Sequence, residues 1–247
     1  MFQVAAVMSY AKKYGYEWAV PGDARESAIH RVYPDLPKTG HHFQGYPRNG
    51  YDAAHYEYYD WPNWGDNILL QGFFQSEKFF ENVKDRVKKT FELPHVPEVE
   101  DFVSIHVRRG DFVTHAKSFP PIGMEYINNA LKKFNGGKYM VFSDDIEWCK
   151  QNIKYDQWNS WNTFEFFDDP NERTSLAFMA SCKHHIIANS TFSWWASYLG
   201  HNPDRITICP HHTQWYGPEN SVVTYAKSLG LEPCRDLIPK EWIQIKI

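Results

Sequence analysis

The chain is poor in cysteine: Cys149, Cys182, Cys209 and Cys234 are widely spaced and form no C-x-x-C pair. That argues against a zinc site or a disulfide framework and predicts reduced, mostly buried thiols in a reducing compartment. An excess of basic residues is also missing, since 26 Lys and Arg face 30 Asp and Glu for a net charge of −4. A nucleic-acid-binding surface normally shows as a basic excess, so nucleic acid is not expected as a partner, and any bound anion must be held by local arginines. No apolar run approaches the length of a membrane span, and no signal peptide precedes the first helical pattern. A cytoplasmic protein, or one peripheral to a membrane, is therefore expected. Repeats and low-complexity runs are absent as well. What remains is ordinary globular material, 43% hydrophobic and 23% charged, in 247 residues.

Aromatics are abundant, at 17% of the chain. Their faces suit sugar rings as well as cores, though packing is the expected role for most of them. Phe2 to Tyr14 reads as a helix ended by Gly15, with lysines in its last turn, and Trp18-Ala19-Val20 as a short strand. From Arg31 to Asn67 there is no sustained period, only prolines and glycines interleaved with Tyr and Trp, and a loop this long in a compact domain is usually functional or disordered, with the aromatic richness arguing against disorder. Ile68 to Gly72 reads as a buried strand and Ser76 to Phe91 as a helix. A proline-marked acidic segment from Leu93 to Asp101 looks like a linker, which divides the chain into lobes at 1–95 and 100–247. Beyond it, strands Phe102–Val107, Tyr139–Phe142, Phe164–Phe167, His185–Ala188 and Ile206–Ile208 alternate with helices Met124–Phe134, Ile146–Asn152, Asn171–Ser181 and Phe192–Leu199. Strands and helices alternating at these lengths predict βαβ units and a parallel sheet, an α/β fold.

Three strand ends carry chemistry. Ser104-Ile105-His106-Val107-Arg108-Arg109-Gly110-Asp111 empties a strand into two guanidinium groups, and ligands of α/β sheets bind at that end of strands. Arginine keeps its proton and offers a rigid fork of donors to phosphate oxygens. Ser143-Asp144-Asp145 ends the next strand with a hydroxyl and two carboxylates, which suit either a ribose or the cap of the following helix. Asn189-Ser190-Thr191-Phe192-Ser193 leads into a helix N-terminus, a seat for phosphate, with a well-capped buried helix as the plainer alternative. Together the three ends suggest one site for a ligand carrying a diphosphate and a ribose. The pairs His41-His42, His184-His185 and His211-His212 are read as packed or solvated rather than metal-binding, because strand neighbours face opposite ways.

In order and spacing these segments, with Leu70-Gln71-Gly72-Phe73-Phe74-Gln75-Ser76, resemble the α1,2-fucosyltransferase family, glycosyltransferase family 11. The resemblance implies two Rossmann-like lobes of GT-B type, the N-terminal one on the acceptor side and the C-terminal one binding GDP-fucose. It implies inverting transfer of L-fucose to the 2-hydroxyl of a galactoside-terminated glycan, with no metal and no cofactor beyond the donor substrate. Arg108 would bind the donor diphosphate, with His106, Arg109 and Asp111 completing its motif. Ser143, Asp144, Asp145, Asn189, Ser190, Thr191, Phe192 and Ser193 would complete the donor site. His106 and Asp111 are the candidates for a general base, although orienting an arginine suits Asp111 slightly better. The family pattern places a strand and a Gly-Leu-Gly-Asn-Gln-type loop before Met-Phe-Gln. This chain begins at Met1-Phe2-Gln3, so both are expected to be missing from the first lobe. A binder of nucleotide sugars or carbohydrates that has lost turnover is the alternative.

Overall fold

The computed structural model describes residues 1–21, 28–39, 48–51, 58–65, 68–153 and 162–247. Residues 40–47, which include His41-His42, and residues 52–57 of the aromatic stretch between Tyr33 and Trp64 lie outside the described residues. The chain divides into two compact units, Met1–Glu92 with Tyr225–Pro239, and Leu93–Thr224 with Lys240–Ile247. Residues 225–239 thus belong to the first unit, whereas the sequence places them in the second lobe.

In the first unit, α1 (Phe2–Tyr14) buries Phe2, Val4, Ala5, Ala6, Met8 and Tyr10. It stops at Gly15, whose φ of 76° turns the chain left-handed while its N–H bonds the Ala11 carbonyl. That is the backbone conformation glycine adopts at no steric cost. The short β1 (Val20–Pro21) and α2 (Ala28–Val32) follow, and β1 pairs in parallel with β2 (Lys38–Thr39). Then β3 (Arg48–Tyr51) pairs in parallel with β4 (Ile68–Gln71). The helix expected over Ser76–Phe91 is a 3₁₀ helix, Glu77–Val83, that passes into α3 (Lys84–Thr90), with a non-helical break at Phe80. Phe79 and Phe80 are both buried but meet different partners: Trp61 and Phe74 for the first, Phe2 for the second. Neighbours on a regular α-helix point about 100° apart, and the break supplies the alternative.

The second unit holds a six-stranded sheet. In chain order it contains β5 (Phe102–Val107), α4 (Gly110–Thr114), α5 (Met124–Leu131), β6 (Gly137–Ser143), α6 (Ile146–Asn152) and β7 (Asn162–Phe167). There follow α7 (Glu172–Ser181), β8 (His184–Ile186), α8 (Thr191–Tyr198), β9 (Thr207–Pro210), α9 (Ser221–Ser228), which crosses into the first unit at Tyr225, and β10 (Ile243–Ile245). The strand order is β10-β9-β8-β5-β6-β7, and every pairing is parallel. The chain therefore winds outward from β5 through β6 to β7, returns to the other side of β5, and winds outward again. This is the doubly wound order, and in such sheets ligands bind outside the carboxyl ends of the strands where the winding reverses, here those of β5 and β8.

Alternation along β5 sends Val103, Ile105 and Val107 to one face, where they pack with Tyr126, Ile127 and Ala130 of α5 and Ile146 and Cys149 of α6. Ser104 and His106 take the other face. All four cysteines are buried and free. Among the described residues no helix is long and apolar enough to cross a membrane.

Candidate functional site

Register brings the predicted groups to one edge. Val107, the last residue of β5, lies opposite Ser143, the last of β6, so the chain leaves both strands at the same level. On leaving β5, the Arg109 backbone N–H donates to Asp144 Oδ1 (2.8 Å), and Arg108 Nη1 sits 2.7 Å from Asp144 Oδ2. Arg108 Nη2 donates to Asp111 Oδ1 at 2.6 Å, one turn ahead on α4. The guanidinium carbon of Arg108 also lies 5.5 Å from the centre of the Phe112 ring. Arg108 thus projects from the strand end between two carboxylates, still about one-third exposed (35%).

Arg109 has a different environment. Its Nε–H donates to Asp145 Oδ2 (3.0 Å), and its guanidinium lies 4.0 Å from the Trp148 ring centre. Its side chain is 18% exposed. Asp145 serves a second purpose, since its Oδ1 accepts the Trp148 N–H (3.2 Å) and caps α6. Ser143 Oγ accepts the Asp145 N–H (3.0 Å) and tightens the same turn. The cap read from sequence is present, and the acid pair also grips the arginines. Trp148 is absent from the predicted set; its signal is its place three residues after a capping aspartate, on the first turn of α6. Gly110 is constrained by space, because a Cβ there would come within 2.4 Å of Asp144 Oδ2.

The third segment meets the first through His106. Its Nδ1 lies 2.8 Å from Ser193 Oγ, and its ring is 5.7 Å from that of Phe192. Burial, with the Arg108 charge adding to it, lowers the imidazole pKa to about 3. His106 is therefore neutral at any ordinary pH and too weak a base to accept a proton from a sugar hydroxyl. Ser190 caps α8, its Oγ accepting the Phe192 N–H (3.3 Å). Asn189 is 2% exposed and spends its amide protons on the carbonyls of Pro120 and Trp215, each at 3.0 Å. It pins two loops beneath the site, and its Oδ1 has no partner among the described residues. Ser190, Thr191 and Phe192 are partly exposed at the first turn of α8, whereas Ser193 is fully buried.

The strand ends therefore bring Arg108, Arg109, Asp111, Ser143, Asp144 and Asp145 into direct contact, with His106 and Ser193 joined just beneath. Such an edge can receive a di-anion on Arg108 and on the N-terminal turn of α8. Among the described residues no cluster of three or more His, Cys, Asp or Glu side chains could hold a metal ion.

Comparison with known proteins gives consistent relatives. An alpha-1,2-colitosyltransferase of Escherichia coli is 31% identical over 73% of this chain and 63% of its own length. The O-antigen biosynthesis glycosyltransferase WbnK of Escherichia coli is 26% identical over 63% of this chain and 57% of its own. Human galactoside alpha-(1,2)-fucosyltransferase 1 is 29% identical over 53% of this chain and 43% of its own. The chain thus spans less than two-thirds of the length of these curated relatives. Among solved structures, that of POFUT1 in complex with GDP matches with a TM-score of 0.31 and 16% identity. It covers 54% of this chain and 48% of that one. The model of glycosyl transferase family 11 matches residues 23–220, which include every residue of the strand-end site, and the chain belongs to that family.

Proposed function

We propose that this protein is an inverting α1,2-glycosyltransferase that moves L-fucose from GDP-fucose to the 2-hydroxyl of a galactoside. The observation that carries the reading is Arg108, a partly exposed guanidinium at the point where the sheet's winding reverses, in a chain matched to family 11 from residue 23 to 220. Breaking the bond between sugar and diphosphate spreads positive charge over the sugar ring and leaves negative charge on the departing phosphate. A guanidinium fixed at that oxygen is worth most where charge grows, because it needs no reorganisation as the bond breaks. The partly exposed first turn of α8 would add backbone N–H groups to the same phosphates.

Asp111 is the better of the two candidate bases, since His106 is buried and neutral. Its carboxylate already faces Arg108, however, and departure of the diphosphate then carries most of the reaction. The reading includes no metal, and its support is that Asp144 and Asp145, the acids nearest the diphosphate seat, face arginines. A second sugar donor has a specific observation behind it: the 31% identical relative is a colitosyltransferase, and colitose is fucose without its 3-hydroxyl.

The test is release of GDP from GDP-fucose by the 247-residue chain over a panel of β-galactosides, beside a GDP-linked 3-deoxy donor. Acceptor-dependent release from GDP-fucose supports the reading. Release only from the deoxy donor moves it to the second sugar. GDP binding without release from either donor overturns turnover and leaves a nucleotide-sugar binder.

A further inference from the structure

Two carboxylates hold one arginine here, and they are not equivalent. Asp144 reaches Arg108 from the neighbouring strand end, and both its oxygens are engaged, Oδ2 by Arg108 Nη1 and Oδ1 by the Arg109 backbone N–H. The position a Gly110 Cβ would fill is 2.4 Å from Oδ2, so the carboxylate closes against the backbone of the turn. Its side chain is 27% exposed. Asp111 comes from the same turn as the arginine, three residues on, meets it through Oδ1 alone and is 60% exposed. One contact is built into the sheet edge, while the other lies on its solvent side.

From this asymmetry we infer that Asp144 is a positioning residue that aims Arg108, and that Asp111 is an exchangeable carboxylate occupying the anion's seat on Arg108 until a diphosphate displaces it. The inference rests on the reading of this edge as a nucleoside diphosphate site, and it assigns different work to two acids of the donor motif. Exposed ion pairs are weak because water competes for both partners, so Asp111 can yield without disturbing the turn. Asp144 cannot yield in the same way, because its departure would leave the Arg109 N–H without its acceptor and let the Arg108 fork swing. When phosphate oxygens arrive, no bond of Asp144 has to break. The Arg108–Asp111 pair opens, and the anion takes the freed guanidinium face.

The two acids should then respond in opposite directions. Calorimetric titration of the full chain with GDP, inorganic pyrophosphate and guanosine, on wild type, Asp111→Asn and Asp144→Asn, separates them. Asp111→Asn is expected to tighten GDP and pyrophosphate about two- to fivefold, the strength of an exposed ion pair, and to leave guanosine unchanged. Asp144→Asn is expected to weaken both phosphate ligands about tenfold or more, the scale of a lost hydrogen bond to a charged group, again without effect on guanosine. Melting temperatures accompany each titration. A merely structural role for Asp144 would lower the melting point and weaken guanosine along with the phosphates.

Weakening by Asp111→Asn, or equal effects of the two variants, overturns the inference. If Asp144→Asn does not fold, the Asp111→Asn titration decides alone, because that exposed side chain carries no part of the core. Binding of pyrophosphate but not GDP by the wild type overturns the guanine-nucleotide reading and leaves the two acids to be compared on pyrophosphate. Wild type that binds neither overturns both.

Discussion

The two faces of β5 are built from the same six residues and do opposite things. Val103, Ile105 and Val107 point into a wholly apolar layer against α5 and α6. Ser104 and His106 point the other way, and each spends its polar group on a side chain of the far face: Ser104 Oγ lies 2.9 Å from His185 Nδ1, and His106 Nδ1 lies 2.8 Å from Ser193 Oγ. The apolar face can be satisfied by any well-shaped neighbour, because dispersion and burial have no direction. The polar face can be satisfied in one register only, since a buried imidazole or hydroxyl that misses its partner costs free energy. A one-residue slip would exchange the faces. The polar face thus fixes where the strand ends, and so where Arg108 leaves the sheet, while the apolar face supplies the stability that holds it there.

Four perturbations test this contrast. The largest effect is expected beyond the strand, where Arg108→Ala should cost about 10²–10³ in turnover with little change in melting temperature. Arg108→Lys should recover little of it, because the fork is lost. Near wild-type steady-state rates for Arg108→Ala would remove the arginine from the reaction. On the apolar face, Ile105→Ala should lower stability by about 2–5 kcal/mol in urea unfolding, with activity lost only in proportion to the unfolded fraction.

The polar face should respond to acid. Burial, and nearby positive charge, lower both His106 and His185 from 6.5 to about 3. Below pH 6.5 the unfolded chain takes up protons that the folded protein refuses, so stability falls as pH drops from about 6.5 towards 3 and is unaffected above that range. At pH 5 the loss is about 2 kcal/mol per histidine, and His185→Gln should remove about half of the combined pH dependence. A flat profile of unfolding free energy between pH 7 and 5 would show that neither ring is held neutral. The smallest change is Ser193→Ala, which takes the partner from His106 Nδ1 and should cost about 1 kcal/mol. It should also move the His106 ring resonances while leaving those of His185 in place.

The sheet was legible from sequence because each inner strand carries its own apolar run between turn signals. Phe102–Val107 and Ile146–Asn152 have the expected bounds, and β6, β7, β8, β9, α7 and α8 lie within a few residues of theirs. The strand β10 was not foreseen: Ile243 and Gln244 are exposed, and three residues at a sheet edge show no alternation to read. Nor was α4, whose five residues are too few for a period. The carboxylates illustrate a different limit. That Asp145 caps a helix is local and was readable from its neighbours. That Asp144 faces Arg108 depends on Val107 lying opposite Ser143, a pairing across 36 residues that no local pattern records. His106 was read as part of the catalytic motif, and its burial against Ser193 depends likewise on how α8 seats over β5.

Gly110 makes the electrostatics of this edge sensitive to a neutral change. A methyl group added there would meet the end of the Asp144 side chain at 2.4 Å, and that side-chain end, not the backbone of the turn, would have to give way and leave the bonds that hold it. Its rotation would carry a negative charge off Arg108. Gly110→Ala would therefore behave as a charge mutation written in hydrocarbon: the formal charge of the protein stays the same, and what changes is the share of the arginine's field left for a ligand.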